Sequence, residues 1–480
     1  VYDDHALFVD PAITSPNGWY LSFHPSQTRP LTWFSFWLNY AVAGRNAATW
    51  HAVNLVLHLG ACLLLLDALS RIVPREQAVV AAFVFALHPI QTEPVLYVFA
   101  RGTLLAALLC LLSLRAWTRG GYWPAVAWFG FALLAKEECA AFPAFLLLLH
   151  FAGSRKSAER LPIVAMLALA AAAVIRVAVT AAMNPGSGAG VHAGVSPATY
   201  LTTQGVTILR YFQLMAIPVG FSVDPPVTPP AIWQALLAWG VILGAALLAW
   251  RRFKGPREGF WFLGGLILLL PTSSIFPAAD LAADRRLYLP MIAFSAFAAM
   301  LLRRTTFPVL LAAGAITYAM LSFARADVWT SEAALWEDAM RQAPEKVRPR
   351  LQLARLQPPG QAIELLQETR KIAPDDASVA VDLGRIYLAQ GNASRALGEF
   401  GRAVALAPEN ASAHSNRGVA LLAVGLRDHA ITDFRRALEL NPCLFDAYLN
   451  LRRLSLPVSP ASFCRYNPDQ LAALQEGSQQ

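Results

Sequence analysis

Charge is what this sequence has least of. Asp, Glu, Lys and Arg make up 15% of its 480 residues and apolar residues 56%, whereas soluble globular proteins carry about a quarter charged. That shortage excludes a soluble enzyme for most of the chain. Cysteine is scarce too, with five residues and no CxxC spacing, so no metal site is expected from them. A basic stripe interleaved with aromatics is also missing. The net charge of +8 gathers in short clusters between apolar runs, which excludes a nucleic-acid partner and reads as membrane topology. No Met, basic n-region or apolar h-region stands before Asp3 and Asp4, so a first helix is expected upstream of the residues given.

What is present is a series of apolar runs, confined to the first two thirds. Spans are predicted at 49–71, 76–89, 95–117, 121–135, 139–152, 160–183, 231–250, 259–275, 287–302 and 306–324. That is about ten, or eleven with a missing first helix. Residues 200–218 break the alternation of sides and are read as a re-entrant or interfacial helix, and residues 29–40, dense in aromatics, as a helix in the headgroup region. With each Arg/Lys cluster in the cytoplasm, residues 88–93, 136–138, 184–197 and 280–286 fall outside, as does the tail.

The tail carries a 34-residue repeat. Leu383, Gly384, Tyr387, Ala396, Phe400, Ala403 and Pro408 recur in register as Arg417, Gly418, Leu421, Ala430, Phe434, Ala437 and Pro442, which is tetratricopeptide (TPR) spacing. Clear repeats lie at 377–410 and 411–444, with a degenerate unit before them and a capping helix from Phe445. Two domains follow: 1–324, a polytopic membrane domain, and 325–480, a TPR α-solenoid, all-α throughout. Such arrays present a concave surface to peptides, or pack only against their own membrane domain. Cys443 and Cys464, at the end of the tail, form a disulfide in an oxidising compartment or remain free thiols.

The unusual polar residues collect on the outer side. Asp3 and Asp4 are a solvated turn or a catalytic pair. Arg29 snorkels to headgroups or binds a phosphate. His51, Asn54 and His58 share one helical face and read as a buried polar seam. His88 and Glu93 bracket a tight loop, and Arg101 lies within the next span, as a functional group or a salt bridge to Glu93. Lys136 and Glu137 interrupt two apolar segments, as a helix-end turn or facing an anionic headgroup. Asp284, Arg285 and Tyr288 follow Asp280 before another span, where an acid and arginines could clamp a lipid phosphate. One site would unite them: a polyprenyl-phosphate sugar with its phosphate against Arg101, Lys136 or Arg285 and its anomeric carbon near the Asp pair.

Tyr2-Asp3-Asp4-His5, Arg29-Pro30-Leu31-Thr32, the His51, Asn54 and His58 face, His88-Pro89 with Thr92-Glu93, Lys136-Glu137, Ala283-Asp284-Arg285 with Leu287-Tyr288-Leu289-Pro290, and the trailing repeats together carry a resemblance. The chain resembles the GT-C membrane glycosyltransferases, among them the transmembrane and TPR-containing O-mannosyltransferases and their bacterial relatives. The resemblance implies a GT-C-like membrane domain and an inverting transferase that moves a sugar, mannose or another hexose, from a polyprenyl-phosphate donor to Ser or Thr of a polypeptide held by the repeats. It implies Asp3 or Asp4 as the base and Arg285 at the lipid phosphate, with no metal or other cofactor. It departs from the family at Asp284, where Glu is usual, and at Arg286, where an apolar residue is. The Ala/Arg/Pro-rich, short-looped sequence looks bacterial and places the chain in an inner membrane, with its active site and repeats on the periplasmic side. Two alternatives stay open: a non-catalytic TPR scaffold with a relic core, and a lipid-linked glycan ligase or polymerase.

Overall fold

A computed structural model describes residues 7, 8, 10–24, 27–153, 157–183, 190, 193–253, 255, 257–302, 308–461, 464, 466, 470 and 472–474. Every described regular element is helical. The chain divides into two compact units, Val1–Leu335 and Trp336–Gln480.

In the first unit the helices begin and end where local chemistry requires. Pro30 sits at the first position of Pro30–Ala43, where its missing N–H costs nothing, and Gly44 closes that helix at φ 57°. Asn46 then caps Ala47–Leu69 by accepting from the Ala48 N–H at 3.1 Å. The next helix, Arg75–Leu87, stops at His88 because Pro89 forces its neighbour out of the helical region, and the chain turns by 52° into Pro89–Leu96. A second break falls at Lys136, between Tyr122–Ala135 and Phe142–Ala152.

Four described helices, Ala47–Leu69, Val98–Thr118, Ser157–Met183 and Ile232–Arg251, are long and apolar enough to cross a membrane, or five with the bent pair taken as one span. The chain is a multi-pass membrane protein. Each predicted span coincides with a helix, but the count of about ten is larger than these four or five. Tyr122–Ala135, Glu258–Leu269 and Met291–Leu301 are apolar yet shorter. Polarity is inverted relative to a soluble fold: Ile232–Arg251 exposes Trp233, Leu236, Leu237, Leu243, Leu247 and Trp250, side chains that lipid rather than water would cover. Inside, Ala61, Leu65, Ala107, Leu111, Phe129, Phe145 and Trp261 form the packed core.

The second unit is a stack of helix pairs. Ala377–Ala389 with Ala393–Leu406 is followed 34 residues on by Ala411–Ala423 with Arg427–Leu440. The small-large pairing seen in the sequence has a direct cause here. A Cβ on Gly384 would lie 2.6 Å from the Phe400 ring, and one on Gly418 2.7 Å from Phe434, so only glycine lets the paired helices close on those rings. Val347–Leu356 and Pro359–Ile372 make the degenerate pair before them, and Phe445–Arg453 follows.

Cys443 and Cys464 are joined in a disulfide, 21 residues apart. Closing a loop of that length removes about 3 kcal/mol of unfolded-chain entropy. Reduction should therefore loosen Phe445–Arg453 first. Amide exchange in that helix should rise on adding dithiothreitol, while the helices around Gly384 stay protected.

Candidate active site at the helix breaks

The two breaks in the apolar helices concentrate the charge. At Lys136 the chain leaves Ala135 with a carbonyl that the helix no longer uses, and the Thr32 hydroxyl donates to it at 2.7 Å. This brings Pro30–Ala43 onto the break, where Gly102 leaves room: a Cβ there would meet Thr32 Oγ1 at 3.0 Å. Arg29, just before that helix, then grips Glu137 with two nitrogens, Nε lying 2.9 Å from Oε2. Lys136 turns to Thr103 Oγ1 at 2.6 Å and to Glu138 at 2.7 Å.

Burial would raise the Glu137 carboxyl, but the charge and hydrogen bonds of Arg29, with Lys136 behind, bring it down to about 2 from the ordinary 4.5. Burial lowers Lys136, and Glu138 opposes the fall. The Glu137 shift fixes a pH dependence. A depressed carboxylate contributes stability that is complete above about 4.5 and is lost as pH falls toward about 2. The gap in thermal midpoint between the native chain and Glu137→Gln should be constant above pH 5 and narrow steadily below it.

The second concentration lies on the turn Asp284–Leu287. Arg285 donates to Glu93 at 2.9 Å and to Asp280 at 3.2 Å, and stacks over the Tyr97 ring at 5.8 Å. Its side chain is 22% exposed, and its remaining N–H groups have no other partner among the described residues. Thr92–Leu96 packs against this turn and against Arg101–Thr118, which in turn packs against Glu137–Ala141, so the two concentrations share one neighbourhood of packed elements. Arg286 donates to Tyr200 Oη at 3.1 Å and to the Asp280 carbonyl at 2.7 Å. Asp284 is clamped by Arg210, at 2.5 and 3.2 Å, and by the Ser222 N–H at 3.2 Å. That fork ties Pro197–Ala216 to the turn through Asp284. Against the turn packs Pro89–Gln91, whose Gln91 amide is buried with neither end bonded among the described residues.

Of the residues singled out from sequence, Arg29, Glu137, Lys136, Glu93, Arg285 and Asp284 lie in this neighbourhood. Asp3 and Asp4 lie outside the described residues. Three others face elsewhere. Arg101 is buried, with Nε on Asn54 Oδ1 at 2.9 Å and terminal nitrogens on Asn39 Oδ1 at 2.8 Å and the Trp50 and Ser35 carbonyls at 3.2 Å. The alternative of an Arg101 salt bridge to Glu93 is corrected, because Glu93 pairs with Arg285. Tyr288 is buried against His58 Nδ1 at 2.8 Å. His88 accepts from the Ile90 N–H at 3.2 Å while its Nε2 reaches the Met215 carbonyl at 3.2 Å, so it caps the break. Sequence reasoning missed Arg210, Thr103, Tyr97 and Gln91 as members. The one signal for Arg210 was a charge in an apolar helix.

Residues 381–442 match the tetratricopeptide repeat family. The human Protein O-mannosyl-transferase TMTC1 is 39% identical over 93 residues, which is 19% of this chain and 10% of that protein. The human Protein O-mannosyl-transferase TMTC3 is 32% identical over 91 residues, again 19% and 10%. A protein O-mannosyl-transferase of Caenorhabditis elegans is 25% identical over 297 residues, 58% of this chain and 42% of that one. The chain thus matches a tenth of each human relative and about two fifths of the nematode one. Among solved structures, MamA aligns at 19% identity over 35% of this chain and 92% of its own, with a TM-score of 0.24. YrrB, titled a TPR protein with an unusual peptide-binding site, aligns at 21% identity over 32% and 79%, with a TM-score of 0.22. The chain is a multi-pass, TPR-containing relative of the proteins named O-mannosyl-transferases.

Proposed function

We propose that this chain is an inverting GT-C glycosyltransferase that moves a hexose from a polyprenyl-phosphate donor to Ser or Thr of a polypeptide bound by the repeats. Arg285 carries the reading. It is held by two carboxylates and an aromatic ring, is partly exposed, and retains unused donors. A guanidinium so placed suits a phosphate that gains charge as a bond to it breaks. In the transfer, the acceptor oxygen attacks the anomeric carbon and the bond from that carbon to the phosphate oxygen breaks. The electron pair leaves with the lipid phosphate, and the acceptor proton passes to Asp3 or Asp4. Arg29 and Lys136 lie nearby, each balanced by a carboxylate, Glu137 and Glu138. Glu93 and Asp280 hold Arg285 in place.

The names of the relatives support the sugar transfer, and the disulfide suits repeats on an oxidising, periplasmic face of a bacterial inner membrane. The test is a transfer assay with the full chain in liposomes, a polyprenyl-phosphate hexose labelled in the sugar, and a Ser/Thr-rich acceptor polypeptide. Label in the polypeptide supports the reading. Label only in lipid-linked glycan would make the chain a ligase or polymerase, and no transfer would favour a scaffold.

A further inference from the structure

Away from the helix breaks, one acid gathers three arginines. Asp67 lies near the end of Ala47–Leu69, with Arg71 at 3.1 Å, Arg115 at 2.8 Å and Arg119 at 3.2 Å. The last two come from the end of Arg101–Thr118 and its cap. Each guanidinium is about two fifths exposed, at 39, 39 and 43%, and none has a further partner among the described residues. One carboxylate therefore holds three cations with donors to spare.

Two helix ends meet here, and each carries roughly half a negative charge. That explains why the arginines collect but cannot neutralise them: three positive charges face one carboxylate and about one unit from the two helix ends, so roughly one stays uncompensated. Both helices belong to spans long and apolar enough to cross a bilayer, so their ends stand where hydrocarbon gives way to water. The anion abundant at that depth is a lipid phosphate, and the planar fork of arginine suits its oxygens better than a lysine ammonium does.

We propose that Asp67, Arg71, Arg115 and Arg119 form a site for the phosphate of an anionic phospholipid headgroup. Asp67 spaces the guanidiniums and keeps them from repelling one another until the lipid binds. The site is independent of the sugar-transfer reading, since it shares no residue with the helix breaks.

The test uses the full chain in neutral detergent, titrated with phosphatidylglycerol, phosphatidylcholine or inorganic phosphate. Binding is read by native mass spectrometry and by the thermal midpoint. Phosphatidylglycerol should bind and raise the midpoint by several degrees, while the other two should not. Arg115→Gln/Arg119→Gln should weaken that binding by on the order of tenfold or more. Arg115→Lys/Arg119→Lys, which keeps the charge and guards against a folding artefact, should fall between. Asp67→Asn should lower the midpoint in neutral detergent and enlarge the rise caused by phosphatidylglycerol. Equal effects of phosphatidylcholine, an equal response to inorganic phosphate, or an unchanged response in the glutamine variant would overturn the assignment.

Discussion

Replacing Arg101 by Met should abolish accumulation of the folded chain. Arg101 is 0% exposed and lies between the rings of Phe36 and Trp50, at 4.9 and 5.1 Å. Its donors join Asn54, Asn39, the Trp50 carbonyl and the Ser35 carbonyl, and so tie three helices together. Removal would leave those acceptors buried and unbonded. Each buried acceptor left without a donor costs about 1–3 kcal/mol, against a total stability of about 5–15 kcal/mol. Arg101→Lys should fail almost as badly, because an ammonium cannot span this fork of acceptors or stack between two rings. The check is the yield and thermal midpoint of monodisperse protein in detergent. A well-folded Arg101→Met chain that had lost only sugar transfer would return Arg101 to the substrate.

The second large effect is on chemistry. Arg285→Gln should lower transfer by about a hundredfold or more, the order seen when one charge-stabilising donor is removed. Glu93, whose side chain is 5% exposed, would lose its partner in this variant, so a fold defect could imitate a catalytic one. Arg285→Gln combined with Glu93→Gln removes both charges and separates the two. That double variant should regain thermal stability but not transfer. Arg285→Lys should sit between, keeping the charge without the fork. Recovery of transfer in the double variant would make Arg285 a structural residue only.

Much of the fold was legible because periodicity and breakers act locally. The 34-residue recurrence located both helix pairs, and Pro89 and Lys136 marked the two breaks. The fates of individual polar residues were not legible, because their partners lie far along the chain. Arg210 meets Asp284 across 74 residues and Arg29 meets Glu137 across 108. Arg101 reads as an intramembrane charge in want of a ligand, yet Ser35 and Asn39 of Pro30–Ala43 and Trp50 and Asn54 of Ala47–Leu69 accept from it. Tyr288 belongs to a motif, but His58, 230 residues earlier, claims its hydroxyl. Of the His51, Asn54 and His58 face, Asn54 bonds Arg101 and the Val95 carbonyl and His58 bonds Tyr288, as a polar seam would, while His51 Nδ1 is buried without a hydrogen bond among the described residues. The crossing count was read from apolar stretches, and Arg75–Leu87, Tyr122–Ala135, Phe142–Ala152, Glu258–Leu269 and Met291–Leu301 among them are helices of 11 to 14 residues, shorter than a bilayer is thick.

The central claim is sugar transfer to protein with Asp3 or Asp4 as base, and glycopeptide mass spectrometry tests it most directly. Periplasmic and surface proteins co-purifying with the native chain would be compared with those from Asp3→Asn/Asp4→Asn. The account predicts a hexose-sized increment on Ser or Thr that disappears in the variant while the membrane protein remains folded. Partners without sugar, or with the same sugar in the variant, would contradict it and leave the repeats as a scaffold.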